Sequence, residues 1–141
     1  MPKKIPETIL AYIAGIIDGE GYIGVYGSPK HILTVGVKMC DPEAIGLIVD
    51  TFDGACSGYE NEKAYVYRVI LRARAAYEFL RAIRKYLRVK AEQADWAIEY
   101  YEETFKGRGV ALSVEDLKLR DNYANILKDL KGWQPWETCH S

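Results

Sequence analysis

The 141-residue chain is poor in cysteine: Cys40, Cys56 and Cys139 are an odd number, at spacings of 16 and 83. That arrangement fits neither a disulfide framework nor a zinc ribbon, so the three read as buried thiols or bystanders. Long hydrophobic runs are missing too. The longest apolar stretch, Thr8 to Ile17, is about half of what spans a bilayer, and no membrane partner is expected. The first eight residues carry charge but lack the apolar run and small-residue cleavage site of a secretory signal, and they are too short and acidic for a transit peptide. A cytoplasmic location is the expectation. Asn and Gln are scarce, three and two residues, while Tyr occurs eleven times, a bias that resembles proteins from hot environments. Net charge is nearly absent as well: nineteen basic against twenty acidic residues give −1, so no whole-protein basic field advertises nucleic acid. What is present, 49% hydrophobic and 28% charged residues, excludes wholesale disorder and predicts one soluble domain over 1–141.

Periodicity orders the chain. Pro6, Glu7 and Thr8 open a helix with Ile9, Ile13, Ile16 and Ile17 on one face and Leu10 and Ala14 on another, apolar on most sides and therefore expected to be buried. It stops in the run Asp18-Gly-Glu-Gly21. Tyr22 to Tyr26 and His31 to Met39 then form an antiparallel hairpin about Gly27–Lys30. Asp41, Pro42 and Glu43 start a short helix with Ile45, Ile48, Val49 and Phe52 inward. A second hairpin pairs Ser57–Glu60 with Ala64–Arg72 across a polar turn at Asn61–Lys63. Helices follow at about 75–87, with Ala76, Leu80, Ile83 and Leu87 as its stripe, and 91–105, with Ala94, Ala97, Ile98, Tyr101 and Phe105 inward. The second has an acidic outer face. After the loop Lys106–Gly109, Ser113 to Asp116 is a capping box for a last helix ending near Lys131, and Trp133 and Trp136 are candidate anchors for the tail. The order is α+β with an antiparallel sheet.

The run Ile13-Ala-Gly-Ile-Ile-Asp-Gly-Glu-Gly21 resembles the LAGLIDADG motif of homing endonucleases and intron maturases. Eight of its nine positions hold the motif residue or a substitute common in that family. The elements downstream are similar to the family's αββαββα core with its saddle-like sheet, over about residues 7–105, with a C-terminal helical extension at about 106–141. Small residues at Ala14 and Gly15 let a second helix backbone approach, and the exposed end of the motif puts Glu20 where a carboxylate reaches a metal, with the Gly19 carbonyl as a second oxygen ligand. Asp18 is expected to hydrogen-bond locally at the helix end. One carboxylate cannot serve two strands, and there is no second motif, so a homodimer is implied, with Tyr12, Ala14, Gly15 and Asp18 at its interface. The resemblance further implies a site-specific double-strand endonuclease using Mg2+, or Mn2+ or Ca2+ in its place. It would cut a long, partly palindromic site to short 3′ overhangs, with Lys90, shortly before Gln93-Ala94, as the basic residue of its active site. A nuclease built on histidine is disfavoured, since only His31 and His140 exist. Near the end of the second strand, where relatives place a polar solvent-orienting residue, this chain reads Lys38-Met39, so either Lys38 substitutes or the solvent network differs.

Charge is segregated along the chain. Between Arg68 and Lys90 lie eight bases (Arg68, Arg72, Arg74, Arg81, Arg84, Lys85, Arg88, Lys90) and one acid, a local +7, against −8 over the other 118 residues. Strand alternation turns Tyr22, Gly24 and Tyr26, then Thr34, Gly36 and Lys38, and then Arg68 and Arg72 to one face. Lys30 and His31 sit at the hairpin tip and Arg74 just beyond the last strand. The resemblance places that face on duplex DNA. The rival readings are an intron RNA maturase or a non-cleaving DNA-binding protein on the same core, and a plain α+β interaction domain.

Overall fold

The computed structural model describes residues 4–60, 66–107 and 109–131. The expected turn at Asn61–Lys63, the start of the last strand at Ala64, Arg108, and the tail with Trp133, Trp136, Cys139 and His140 lie outside the described residues. Pro6, with φ −58°, leads into α1 (Glu7–Glu20), and Glu7 supplies the first-turn acid. The helix passes with no intervening loop into β1 (Gly21–Tyr26). Gly21 permits this, because a Cβ there would lie 2.9 Å from the Ile17 Cα. β1 pairs antiparallel with β2 (Ile32–Met39), Ile23 opposite Val35 and Gly24 opposite Thr34. α2 (Pro42–Thr51) begins as its sequence predicts, with the Asp41 carboxylate accepting the Glu43 N–H at 2.9 Å.

The second hairpin, β3 (Cys56–Glu60) and β4 (Val66–Arg72), joins the first through β2, giving an antiparallel sheet in the order β1-β2-β4-β3. Ala73, at φ 53°, turns the chain into α3 (Arg74–Ile83) while its N–H donates to the Leu33 carbonyl at 2.8 Å. α4 (Ala91–Thr104) and α5 (Val114–Leu130) are the last helices among the described residues, and α5 starts with reciprocal bonds between Ser113 and Asp116.

The helices lie against one face of the sheet. Ile23, Val35, Val37, Val69 and Leu71 are buried against Ile13, Ala14 and Ile17 of α1, Ile45 and Ile48 of α2, and Phe79, Leu80 and Ile83 of α3. Burying each such side chain is worth about 1.5–3 kcal/mol, so this layer outweighs any surface ion pair. Among the described residues no helix is long and apolar enough to cross a membrane.

Three features depart from the sequence-based expectation. α1 is not buried on most sides: Tyr12 is 57% exposed, and Ala11, Gly15 and Gly19 are exposed beside it. The helix expected over 75–87 stops at Ile83 and tightens into a 3₁₀ turn, Arg84–Tyr86, because residues 88–90 are tied to the end of α1, as described below. On α4 the buried residues are Ala94, Trp96, Ala97, Tyr100 and Thr104, whereas Phe105 is exposed. α5 covers a second flank of α4: Trp96 and Tyr100 stack at 5.2 Å between centroids, and Tyr123 meets both edge-on.

Candidate nucleic-acid interface

Among the described residues, the other face of the sheet carries no helix. Alternation directs Tyr22, Gly24 and Tyr26 of β1, Thr34, Gly36 and Lys38 of β2, and Arg68 and Arg72 of β4 to this side. The register places them in rows: Tyr22 by Gly36 by Ile70, Gly24 by Thr34 by Arg72, and Lys38 by Arg68 by Gly58. Tyr22, Tyr26, Thr34, Lys38, Arg68 and Arg72 together line one open groove of about 400 Å3. The two glycines shape its floor. A Cβ on Gly36 would sit 2.5 Å from the Tyr22 hydroxyl, and one on Gly24 2.6 Å from the Tyr26 hydroxyl, so both rings lie down across the strands. The rings meet edge-on at 6.0 Å, and burial, with Tyr22 beside it, pushes the Tyr26 phenol up. Gly24 and Thr34 are buried beneath this surface.

Two of the expected contacts fall elsewhere. Lys30 is at the hairpin tip, where its carbonyl accepts the Arg120 guanidinium at 2.8 Å. Arg74 pairs with Glu78 at 3.0 Å on α3. Met39 is half-buried against the core, and Lys38 is the exposed polar group at that end of β2.

The end of α1 forms a corner beside this face. The Asp18 carboxylate accepts the main-chain N–H of Arg88 at 2.9 Å and of Lys90 at 3.0 Å, and the Lys90 ammonium donates to the Asp18 carbonyl at 2.8 Å. Asp18 therefore bonds across seventy residues of sequence, not locally at its helix end. Partial burial pushes its carboxyl up, but the amides of Arg88, Lys90 and Val89 and the charge of Lys90 outweigh this and hold it below the ordinary aspartate range. The consequence is positional: Lys90 is tied to a residue two places from Glu20. Glu20 itself is exposed on the last residue of the helix, and an added Cβ on Gly19 would meet nothing within 4 Å. A carboxylate and main-chain carbonyls at the negative end of a helix are hard oxygen donors suited to a divalent cation. Among the described residues no three His, Cys, Asp or Glu come together.

Of the residues expected at a dimer interface, Tyr12 and Gly15 are exposed and Asp18 is half-buried in the bonds just described. Ala14 is 0% exposed and packs within the protomer's own core, since it shares the inward face with Ile13 and Ile17. Gly19 takes its place on the outward face. Gly15 and Gly19, four residues apart, have no neighbour that a methyl group would strike.

The local +7 is dispersed in space. Arg84 pairs with Asp95, its Nη2 at 2.7 Å from Oδ2, and Lys85 donates to Glu7 at 2.7 Å. Arg81 leans on the Tyr77 ring of α3, 5.7 Å from its centroid. Only Arg68 and Arg72 of that segment lie in the groove.

No protein-family model and no curated protein matches the chain. Solved structures do. An archaeal intron-encoded homing endonuclease, I-Vdi141I, complexed with DNA, superposes with a TM-score of 0.72 at 16% identity, covering 92% of this chain and 89% of that one. The homing endonuclease I-CvuI in complex with its target and Ca gives 0.67 at 13% identity, covering 92% and 85%. I-CvuI with an I-CreI target and Mg, its DNA not cleaved, gives 0.57 at 13%, covering 86% and 95%. The chain has the fold of these LAGLIDADG homing endonucleases, an α+β architecture with, among the described residues, five α-helices and a four-stranded antiparallel sheet.

Proposed function

We propose that the chain is a homing endonuclease that works as a homodimer on a long, partly palindromic DNA duplex, hydrolysing both strands to leave short 3′ overhangs. The observation that carries this reading is the bare sheet face, where two tyrosines, a threonine and three cations line one groove. A β-ribbon fits the major groove, in which every base pair shows a distinct donor and acceptor pattern, and Arg68 and Arg72 have the forked geometry that reads guanine or holds phosphate. The fold shared with DNA-bound endonucleases supports the same partner.

The chemistry falls to the corner at the end of α1. Glu20 and the Gly19 carbonyl would hold a divalent cation such as Mg2+, which when bound supplies Lewis-acid activation of water and neutralisation of phosphate charge. Lys90, held in place through Asp18, stands ready to stabilise the extra negative charge that builds on the phosphate during attack. Lys38, exposed near the end of β2, would be the residue that orients solvent there.

Gly15 and Gly19 support the dimer. Each costs about 0.5–1 kcal/mol in a helix, and nothing within the protomer needs their missing side chains. Two such faces crossing on a two-fold axis would set two Glu20 carboxylates side by side, one per strand.

The test is direct. Purified protein with Mg2+ should linearise a plasmid bearing its site, and Glu20→Gln should bind that site while cutting at least about a hundredfold more slowly. Normal cleavage by the Gln variant would remove Glu20 from the mechanism. Wild type that binds intron RNA but no duplex would favour the maturase reading.

A further inference from the structure

β1 is an edge strand, and beyond it runs a second groove of about 400 Å3, between Gly24–Ser28 on one side and Ala124, Leu127, Lys128 and Lys131 of the α5 end on the other. Tyr26 and the β1 backbone border this groove, and Tyr26 also lines the groove on the sheet face, so the two adjoin at this residue. We infer that this second groove carries the sugar-phosphate backbone of the bound duplex past the edge of the sheet, with the ammonium groups of Lys128 and Lys131 as its phosphate contacts. The inference rests on the DNA-binding reading above and extends it to residues outside the αββαββα core.

The charges of the groove point to an anion. Its β1 wall consists of glycines, Val25, Tyr26 and Ser28, without an acid. Asp121, the acid near its inner end, is engaged by the His31 imidazole at 3.4 Å. Neither Lys128 nor Lys131 has a side-chain hydrogen bond or ion pair among the described residues, unlike Arg84 and Lys85 on the helical side. Lys131 is fixed at the C-cap of α5, its N–H donating to the Leu127 carbonyl at 2.9 Å. Although its side chain keeps exposed surface, the protein packed around it and then the positive charge of Lys90 hold its ammonium below the ordinary lysine value. Lys128 and Lys131, three residues apart near the end of α5, thus line the groove as two ammonium groups opposite a wall without an acid. A phosphodiester backbone, with its negative charge shared over two oxygens, suits such a row, and one running along α5 would meet Lys128 and Lys131 in turn.

Salt-dependent binding of the full chain to a short duplex of arbitrary sequence tests this, since a backbone contact is indifferent to sequence. For Lys128→Gln/Lys131→Gln, affinity should fall about tenfold or more at moderate salt. The slope of log K against log salt should shrink by about 0.9 for each phosphate that no longer meets a lysine. Lys131→Arg should keep the wild-type slope, and Lys118→Gln, on α5 but away from the groove, should change neither quantity. If the double variant keeps both the affinity and the slope of wild type while Arg72→Gln weakens binding, the inference is overturned and the sheet face keeps its role. If wild type does not bind the duplex at any salt concentration, the DNA reading fails and takes this inference with it.

Discussion

The two sides of the sheet use the same kinds of residue to opposite ends. On the helical side, cations sit opposite carboxylates: Arg84 with Asp95, Lys85 with Glu7, Arg74 with Glu78. On the bare side, Lys38, Arg68 and Arg72 are gathered with two tyrosines around a single groove. Exposed pairs of the first kind are worth about 0–1 kcal/mol each, so they trim a surface whose cohesion comes from the apolar layer beneath. The second kind gathers three cations from two strands along one open groove. The difference teaches that charge counted along the chain is a poor guide to charge in space.

Substitutions can break that contrast, taken from the largest effect down. Phe79→Ala, in the wholly buried layer, should cost about 3–5 kcal/mol of stability in urea unfolding while leaving the affinity of the folded fraction for DNA unchanged. Arg72→Ala should do the reverse, lowering DNA affinity by about 1–3 kcal/mol in a filter or anisotropy assay with the melting temperature kept. Arg84→Ala is its counterpart and should move neither quantity by more than about 1 kcal/mol. Should Arg84 matter to DNA as much as Arg72 does, the division between the two sides is wrong.

The Asp18 bond, which lies between the two regions, predicts a pH effect. Its carboxyl is lowered in the folded state, so its contribution is complete above the ordinary aspartate value of about 3.9 and is lost as pH falls through the lower folded value. Asp18→Asn should therefore be less stable than wild type at neutral pH, with the gap closing toward acid in unfolding curves taken from pH 7 to 2. Smallest is Gly15→Ala. It should leave the isolated protomer unchanged or up to about 1 kcal/mol more stable, while weakening self-association in sedimentation.

Most of the architecture was legible because local signals agreed. Asp41 and Ser113 cap the helices that their positions announced, and period-two alternation sorted β1, β2 and β4 into their two faces. The groove residues Tyr22, Tyr26, Thr34, Lys38, Arg68 and Arg72 followed from that alternation. What escaped was decided by distant parts of the chain. Ala14 is small enough for a core or for a helix crossing, and only the packing of α1 on the sheet assigns it to the core. Arg84, Lys85 and Tyr86 are compatible with a continuing helix, yet Asp18 claims the amides that follow and the helix ends. Trp96 and Tyr100 looked like positions outside the stripe because the second covering helix, α5, leaves no trace in the periodicity of α4. Lys128 and Lys131 belong to the extension, where no alternation marked them.

The Asp18 bond also bears on when the corner comes into being. It closes a loop of seventy residues, so neither Lys90 nor the turn that carries it is in place until both hairpins and α3 have assembled between them. Loop closure over that span is entropically opposed until the intervening contacts repay it. On a ribosome, α1 and its carboxylate emerge early and wait, unarmed, for the far side of the sheet to arrive. Fraying that frees residues 88–90 undoes the corner in the same stroke, which ties the proposed chemistry there to the integrity of the whole fold.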